Sequence, residues 1–191
     1  MSETPASRNL RITITQQWPD ERPGPKVDPV TIGEQVSGSQ SPDEFVVVYD
    51  GDTAFMRLHI YYPQAEYHLK TLAIVWADRI IVGFAGRVVL VSIRDGTQNT
   101  ISLSDKQPPD SWDYFCHILC DHDYLLVCSG QRVFRIGSDG RVLWKSTNVG
   151  LDGVIAHDVS TGVVHGSGEW DPPGGWRPFV LSLATGEAIS A

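Results

Sequence analysis

DYFCHILCDHDYLLVCSGQRVFRIGSDGRVLWKS, residues 113–146, is the stretch whose reading decides the fold. It holds four short apolar runs separated by turn residues. Runs of this length bounded by Gly, Asp or Ser read as β-strands. Asp139-Gly140 between two such runs is a hairpin signal, because both residues tolerate positive φ. The stretch thus predicts a four-stranded antiparallel meander.

Working outward, the pattern repeats. A shift of 44 residues places Gly130 on Gly86, Val133 on Val89, Phe134 on Leu90 and Ile118 on Ile74. The same shift brings Asp139-Gly140 onto Asp95-Gly96 and Leu125-Leu126 onto Ile81-Val82. Downstream, Leu125-Leu126 falls on Val163-Val164 at an offset of 38, and Asp139-Gly140 on Thr185-Gly186 at 46. The two offsets differ by eight residues, the size of an insertion between the second and third strands of the last copy. A degraded upstream copy is expected over 44–62, with the Asp50-Gly51-Asp52 turn at its centre. A four-stranded unit recurring every ~40–45 residues has the period of a β-propeller blade.

The segments VFRIGSDGRVLW (133–144) and FVLSLATGEAI (179–189) resemble quinoprotein-type (pyrroloquinoline-quinone) propeller repeats. Those run strand, Asp/Thr-Gly turn, strand, with a Trp closing the unit. The resemblance spans 69–191. It places the closing Trp at Trp144, with Leu103 and Ser190 in its place elsewhere. It implies the fold alone. No quinone-binding residues can be placed, and no cofactor is expected.

The expected architecture is a single all-β domain over 1–191: a small β-propeller-like repeat of about four blades, closed or as an open arc. A β-sandwich built from the same meanders is the alternative. Strands are predicted at 10–16, 71–76, 79–84, 87–93 and 99–103, and blades over 114–145 and 153–189. Little helix is expected. Residues 17–43, with Pro19, Pro23, Pro25, Pro29 and Pro42, read as a proline-rich loop or arm carrying a short strand at 30–32. Residues 44–191 carry the repeated blades. A remote pairing of 10–16 would supply a missing strand. An open arc would leave bare edge strands and favour a homodimer.

Composition bounds the function. The chain has 191 residues, 41% hydrophobic and 20% charged, as in an ordinary globular protein. The net charge of −8 and the lack of a Lys/Arg run argue against nucleic-acid binding and suit a basic protein partner. No apolar run reaches the ~20 residues that span a bilayer, so no membrane partner is expected. The start, MSETPASRNL, lacks a signal-peptide layout, and a cytoplasmic protein is expected.

No catalytic motif is present: no G-x-S-x-G, no phosphate cradle and no H-E-x-x-H. Cys116, Cys120 and Cys128 fall on apolar positions of the preceding copy and read as core. The Asp121-His122-Asp123 group sits at a turn, where Asp mimics backbone. His157 and His165 read as a cross-strand pair about a turn at Ser160-Thr161, one ligand short of the three a catalytic zinc normally has. A metal-dependent hydrolase using these His/Asp groups, with Asp158, is therefore an alternative, and no metal site is assigned.

The insertion is the candidate site. Glu169, Trp170, Asp171, Trp176 and Arg177 surround Pro172-Pro173-Gly174-Gly175 in a loop set on a rigid scaffold. Trp and Arg are enriched at binding hot spots, and a stiff loop binds at lower entropic cost. Trp176 is expected to fold back into the core more readily than Trp170. The resulting expectation is a non-enzymatic module presenting this loop to a protein, of inhibitor or immunity type. A carbohydrate or small-ligand binder using both tryptophans is a further alternative.

Overall fold

The computed structural model describes residues 10–16, 28–35, 40–64, 66–105, 113–171 and 174–189. Among them there are fifteen strands and no helix. The chain forms two compact units, 1–62 and 63–191. Parts of the expected arm (17–27 and 36–39), together with Pro172, Pro173 and Ser190, lie outside the described residues.

In the first unit β1 (Leu10–Thr15), β2 (Val30–Ile32), β3 (Glu44–Asp50) and β4 (Thr53–Ile60) form one sheet in the order β1-β3-β4-β2. The two middle strands form a hairpin about Gly51, whose φ is +59°. The distant β1 pairs antiparallel with β3, Leu10 opposite Asp50. The sheet departs from the expected antiparallel meander because β2 runs parallel to β4. A parallel neighbour cannot be reached by a tight turn, and here β2 is reached before the hairpin is made.

The second unit is a run of three meanders. Sheet two comprises β5 (Leu72–Trp76), β6 (Arg79–Phe84), β7 (Arg87–Ser92) and β8 (Gln98–Ser102). Sheet three comprises β9 (Phe115–Asp121), β10 (Tyr124–Ser129), β11 (Val133–Ile136) and β12 (Val142–Lys145). Sheet four has β13 (Val154–Ser160), β14 (Val163–Trp170) and β15 (Gly175–Ser182), with a rudimentary fourth strand bridged at Leu181 and Ala188.

Sheet three is buried on both faces, which explains its continuous apolar runs. Leu125, Val127, Phe134 and Ile136 pack against Ile81, Val88 and Leu90 of sheet two. Leu126, Cys128 and Val133 pack against Val154, Ala156, Val164 and Leu181 of sheet four. A sandwich of two sheets would bury each on one face only, so the propeller-like succession of blades holds and the sandwich does not. Phe115 reaches back over Gly83, where an added Cβ would fall 2.2 Å from its ring.

The repeat register differs by one from the sequence shift. Side-chain faces alternate along a strand, so equivalent residues must face the same neighbour. Ile81 faces the following sheet, and so does Leu126, 45 positions later. The turns explain the discrepancy. In sheets two and four the third-to-fourth hairpin is closed by Ser92 N to Thr97 O (2.8 Å) and Ser182 N to Glu187 O (2.9 Å). In sheet three the equivalent bond runs from Gly137 N to Arg141 O, one residue shorter. The Asp-Gly signals therefore align at 44 while the strands before them align at 45.

These turns share one chemistry. Gly96, Gly140 and Gly186 have φ of +71°, +82° and +74°. The residue before each glycine accepts a hydrogen bond from the backbone two positions on. Asp95 Oδ1 accepts from Thr97 N (3.0 Å), Asp139 Oδ1 from Arg141 N (3.0 Å) and Thr185 Oγ1 from Glu187 N (3.3 Å). Bonds from the Thr97 hydroxyl and backbone hold the Asp95 carboxyl down at about 2.

The turn glycines also receive the preceding blade. The Trp144 ring lies over Gly186, where a Cβ would sit 2.4 Å from Cε3, and its Nε1 donates to Leu183 O at 2.8 Å. One blade earlier Asn99 takes this place, donating from Nδ2 to Gly140 O at 2.6 Å. The closing position of sheet two is thus Asn99, and Leu103 is instead a core residue. Asn99 pairs with Leu90, and Trp144 with Arg135, 45 residues later on both strands.

Trp144→Ala should lower the unfolding free energy by about 2–3 kcal/mol, through lost ring packing and a lost hydrogen bond. Asn99→Ala should lower it by about 1 kcal/mol. Urea titrations compare them; equal losses would contradict the role given to the ring.

Candidate functional site

Apart from Asp171 and Gly174, the described residues flanking Pro172-Pro173 in the insertion are strand, not loop. They prolong the middle hairpin of sheet four, with Gly168 opposite Arg177, Glu169 opposite Trp176 and Trp170 opposite Gly175. Beyond that ladder Gly174 N donates to Asp171 O (2.6 Å), and Gly175 has φ +57°. By facing and register Gly168 corresponds to Ser129, where the hairpin of sheet three ends, so Glu169 onward has no counterpart there.

This extension decides which side chains are covered. Alternation puts Glu169 and Trp176 on one face of the hairpin and Trp170 and Arg177 on the other. Trp176 is 49% exposed, contrary to the expectation that it is the core residue of the two, while Trp170 is half-buried. The Arg177 guanidinium stands over the Trp170 ring at 5.8 Å from its centroid. Placed on opposite faces, the two rings cannot form a single platform for a sugar.

The base of the hairpin is held by residues 151–153. Glu169 N donates to Gly153 O (2.7 Å), and Leu151 N donates to Glu169 O (2.7 Å). The Tyr114 hydroxyl donates to Asp152 O (2.5 Å) and lies 3.0 Å from Asp152 Oδ1. Burial and that carboxylate raise the Tyr114 pKa. Tyr67, itself exposed, meets the Tyr114 ring edge-on at 4.9 Å. Tyr67, Tyr114, Leu151, Asp152 and Gly153 escape sequence reading because they come from three separate segments; only the glycines flanking Leu151-Asp152 hint at a tight approach.

The outer edge of β15 is missing one donor. Ile189 N donates to Val180 O, so Val180 turns its backbone outward. Pro178 and Trp176 lie two and four positions away and face the same way. Pro178 has no N–H to offer.

The histidine groups are not assembled as expected. His165 lies opposite Asp158, and His157 is the extra residue at a bulge in β13. His157 Nε2 is instead 2.9 Å from Ser167 Oγ. Asp121 Oδ1 accepts from His122 N (2.7 Å), and His122 Nδ1 is 2.9 Å from Asp123 Oδ1, which raises the His122 pKa. Those carboxylates are occupied in shaping the turn. Among the described residues no three His, Cys, Asp or Glu side chains converge as metal ligands would. Cys116 and Cys128 are buried and Cys120 partly so; all three are free thiols, with burial pushing Cys116 up to about 11 and Cys128 to about 12.

His117, on β9, has its pKa lowered from 6.5 by burial and then by the charges of Lys70 and His157. The unfolded chain therefore binds this proton more readily than the folded one. The stability it protects is complete above pH 6.5 and is lost as pH falls below that value. The stability difference between pH 7.5 and 5.5, from urea titrations, should shrink in His117→Gln; an unchanged difference would contradict the assignment.

No family model matches the sequence, and no curated protein matches it. The chain is similar in structure to BamB from Moraxella catarrhalis, seen in its crystal structure, with a TM-score of 0.53 at 15% sequence identity. The match covers 76% of this chain and 46% of that one, so the chain spans less than half the length of this neighbour. At such identity the likeness is one of fold: the sheets are β-propeller-like blades.

Proposed function

We propose that the chain is a non-enzymatic interaction module whose hairpin, residues 169–177, docks on a protein partner. One observation carries this reading. The hairpin runs past the end of the repeat and holds Trp176 half out of the protein, whereas Trp76, Trp144 and Trp170 are buried or half-buried. A half-exposed Trp on a hydrogen-bonded ladder is a rigid anchor, and such anchors dominate interface energies. Tyr67 and Leu151 extend the apolar surface at this end. The net charge of −8 favours a basic partner by faster, steered encounter. Inhibitor or immunity proteins work in this way, by occupation without chemistry. Three free thiols suit a cytoplasmic setting.

The test is capture of a stoichiometric, saturable partner from lysate of the native cell by the tagged chain. Trp176→Ala should reduce capture at least tenfold while leaving the circular dichroism spectrum and urea midpoint nearly unchanged. Undiminished capture by the folded variant would remove this anchor, and the docking reading built on it, from the interaction.

A further inference from the structure

The two faces of the hairpin are not equally complete. On one, Trp170 already has its cation: Arg177 stands over the ring. On the other, Glu169 and Trp176 are directly opposed. Gly153 is next in that row, joined to Glu169 through its carbonyl. A Cβ on Gly153 would lie 3.3 Å from Trp176 Cη2 and 3.6 Å from Glu169 Oε2. The edge of the indole and a carboxylate oxygen thus converge on one bare Cα.

Among the described residues no cation completes this face. Among the described residues, the Glu169 and Asp152 carboxylates make no ion pair. The Glu169 carboxylate accepts no hydrogen bond there, and the only side-chain bond of Asp152 is the one from Tyr114. An indole beside an unpaired carboxylate attracts a cation through both the ring quadrupole and the negative charge. Arginine suits it better than lysine: its plane stacks on indole while its N–H groups fork toward a carboxylate.

We propose that Trp176 and Glu169 form a receptor for one arginine side chain of the partner protein, stacked on the indole and hydrogen-bonded to Glu169. The proposal rests on the interaction-module reading of the same hairpin and names the chemistry of its partner.

The test uses the full chain labelled with nitrogen-15 and the peptide acetyl-Gly-Gly-Arg-Gly-Gly-amide. The Trp176 indole N–H signal is assigned through Trp176→Phe. Saturable shifts are expected at the Trp176 indole and the Glu169 amide, with a dissociation constant on the order of 1–10 mM for so exposed a contact. The same peptide with citrulline, which keeps the shape and loses the charge, should bind about fivefold more weakly or not at all. Glu169→Gln preserves the backbone bonds and should weaken arginine binding similarly. Absence of saturable shifts at Trp176, equal binding of the citrulline peptide, or shifts scattered over other acidic residues would each overturn the receptor. If the peptide fails while Trp176→Ala still loses the captured partner, the docking reading survives and the arginine chemistry does not. If the peptide binds but Trp176→Ala leaves capture unchanged, the arginine bound there is not the partner's and the proposal is overturned.

Discussion

Burial of sheet three on both of its faces is the constraint on which the second unit depends. Each strand of that sheet must satisfy two neighbours at once. Leu125 and Val127 answer to sheet two, and Leu126 and Cys128 to sheet four. A slip of one residue would exchange the two sets, and Phe115 would lose the gap that Gly83 leaves for it. Each large apolar side chain buried here contributes about 1.5–3 kcal/mol. The register is therefore fixed by packing on both sides, with the turns adjusting to it.

The turns do adjust. The sheet-three turn is one residue shorter than its counterparts, and the ladder between β11 and β12 shifts between Arg135 and Ile136. The two irregularities compensate, returning Trp144 to the place that Asn99 holds one blade earlier. The turn glycine is then required twice. It supplies positive φ, and it leaves room for a side chain from the preceding blade. Thr185 in place of Asp still offers an acceptor oxygen, its Oγ1, to the backbone N–H two positions on, which keeps this turn in shape.

Much of this was legible in the sequence. The Val/Ile-rich runs gave strand positions to within a residue or two, and Asp95-Gly96 and Asp139-Gly140 marked hairpins correctly. The face register was not legible, because a uniform shift cannot show that one turn has lost a residue. Nor was the closing role of Asn99, which depends on where a side chain reaches and not on its type. Pro172-Pro173-Gly174-Gly175 spelled a loop, yet the residues on either side continue the ladder, since each partner strand supplies the other with hydrogen bonds. Trp176 was expected, more than Trp170, to be in the core; it is exposed on the face of the hairpin turned away from sheet three. The His157 bulge displaced the expected histidine pair, and nothing in the local sequence announces it.

The proline at position 178 bears on how other molecules can approach. Recognition at a free sheet margin often proceeds by adding a strand, which reads backbone spacing and tolerates many sequences. A margin interrupted by an imino acid resists that mode and the indiscriminate self-association that accompanies it. Selectivity at this end of the protein must then come from side-chain shape and charge, so a visitor is judged by its residues and not by its capacity to extend.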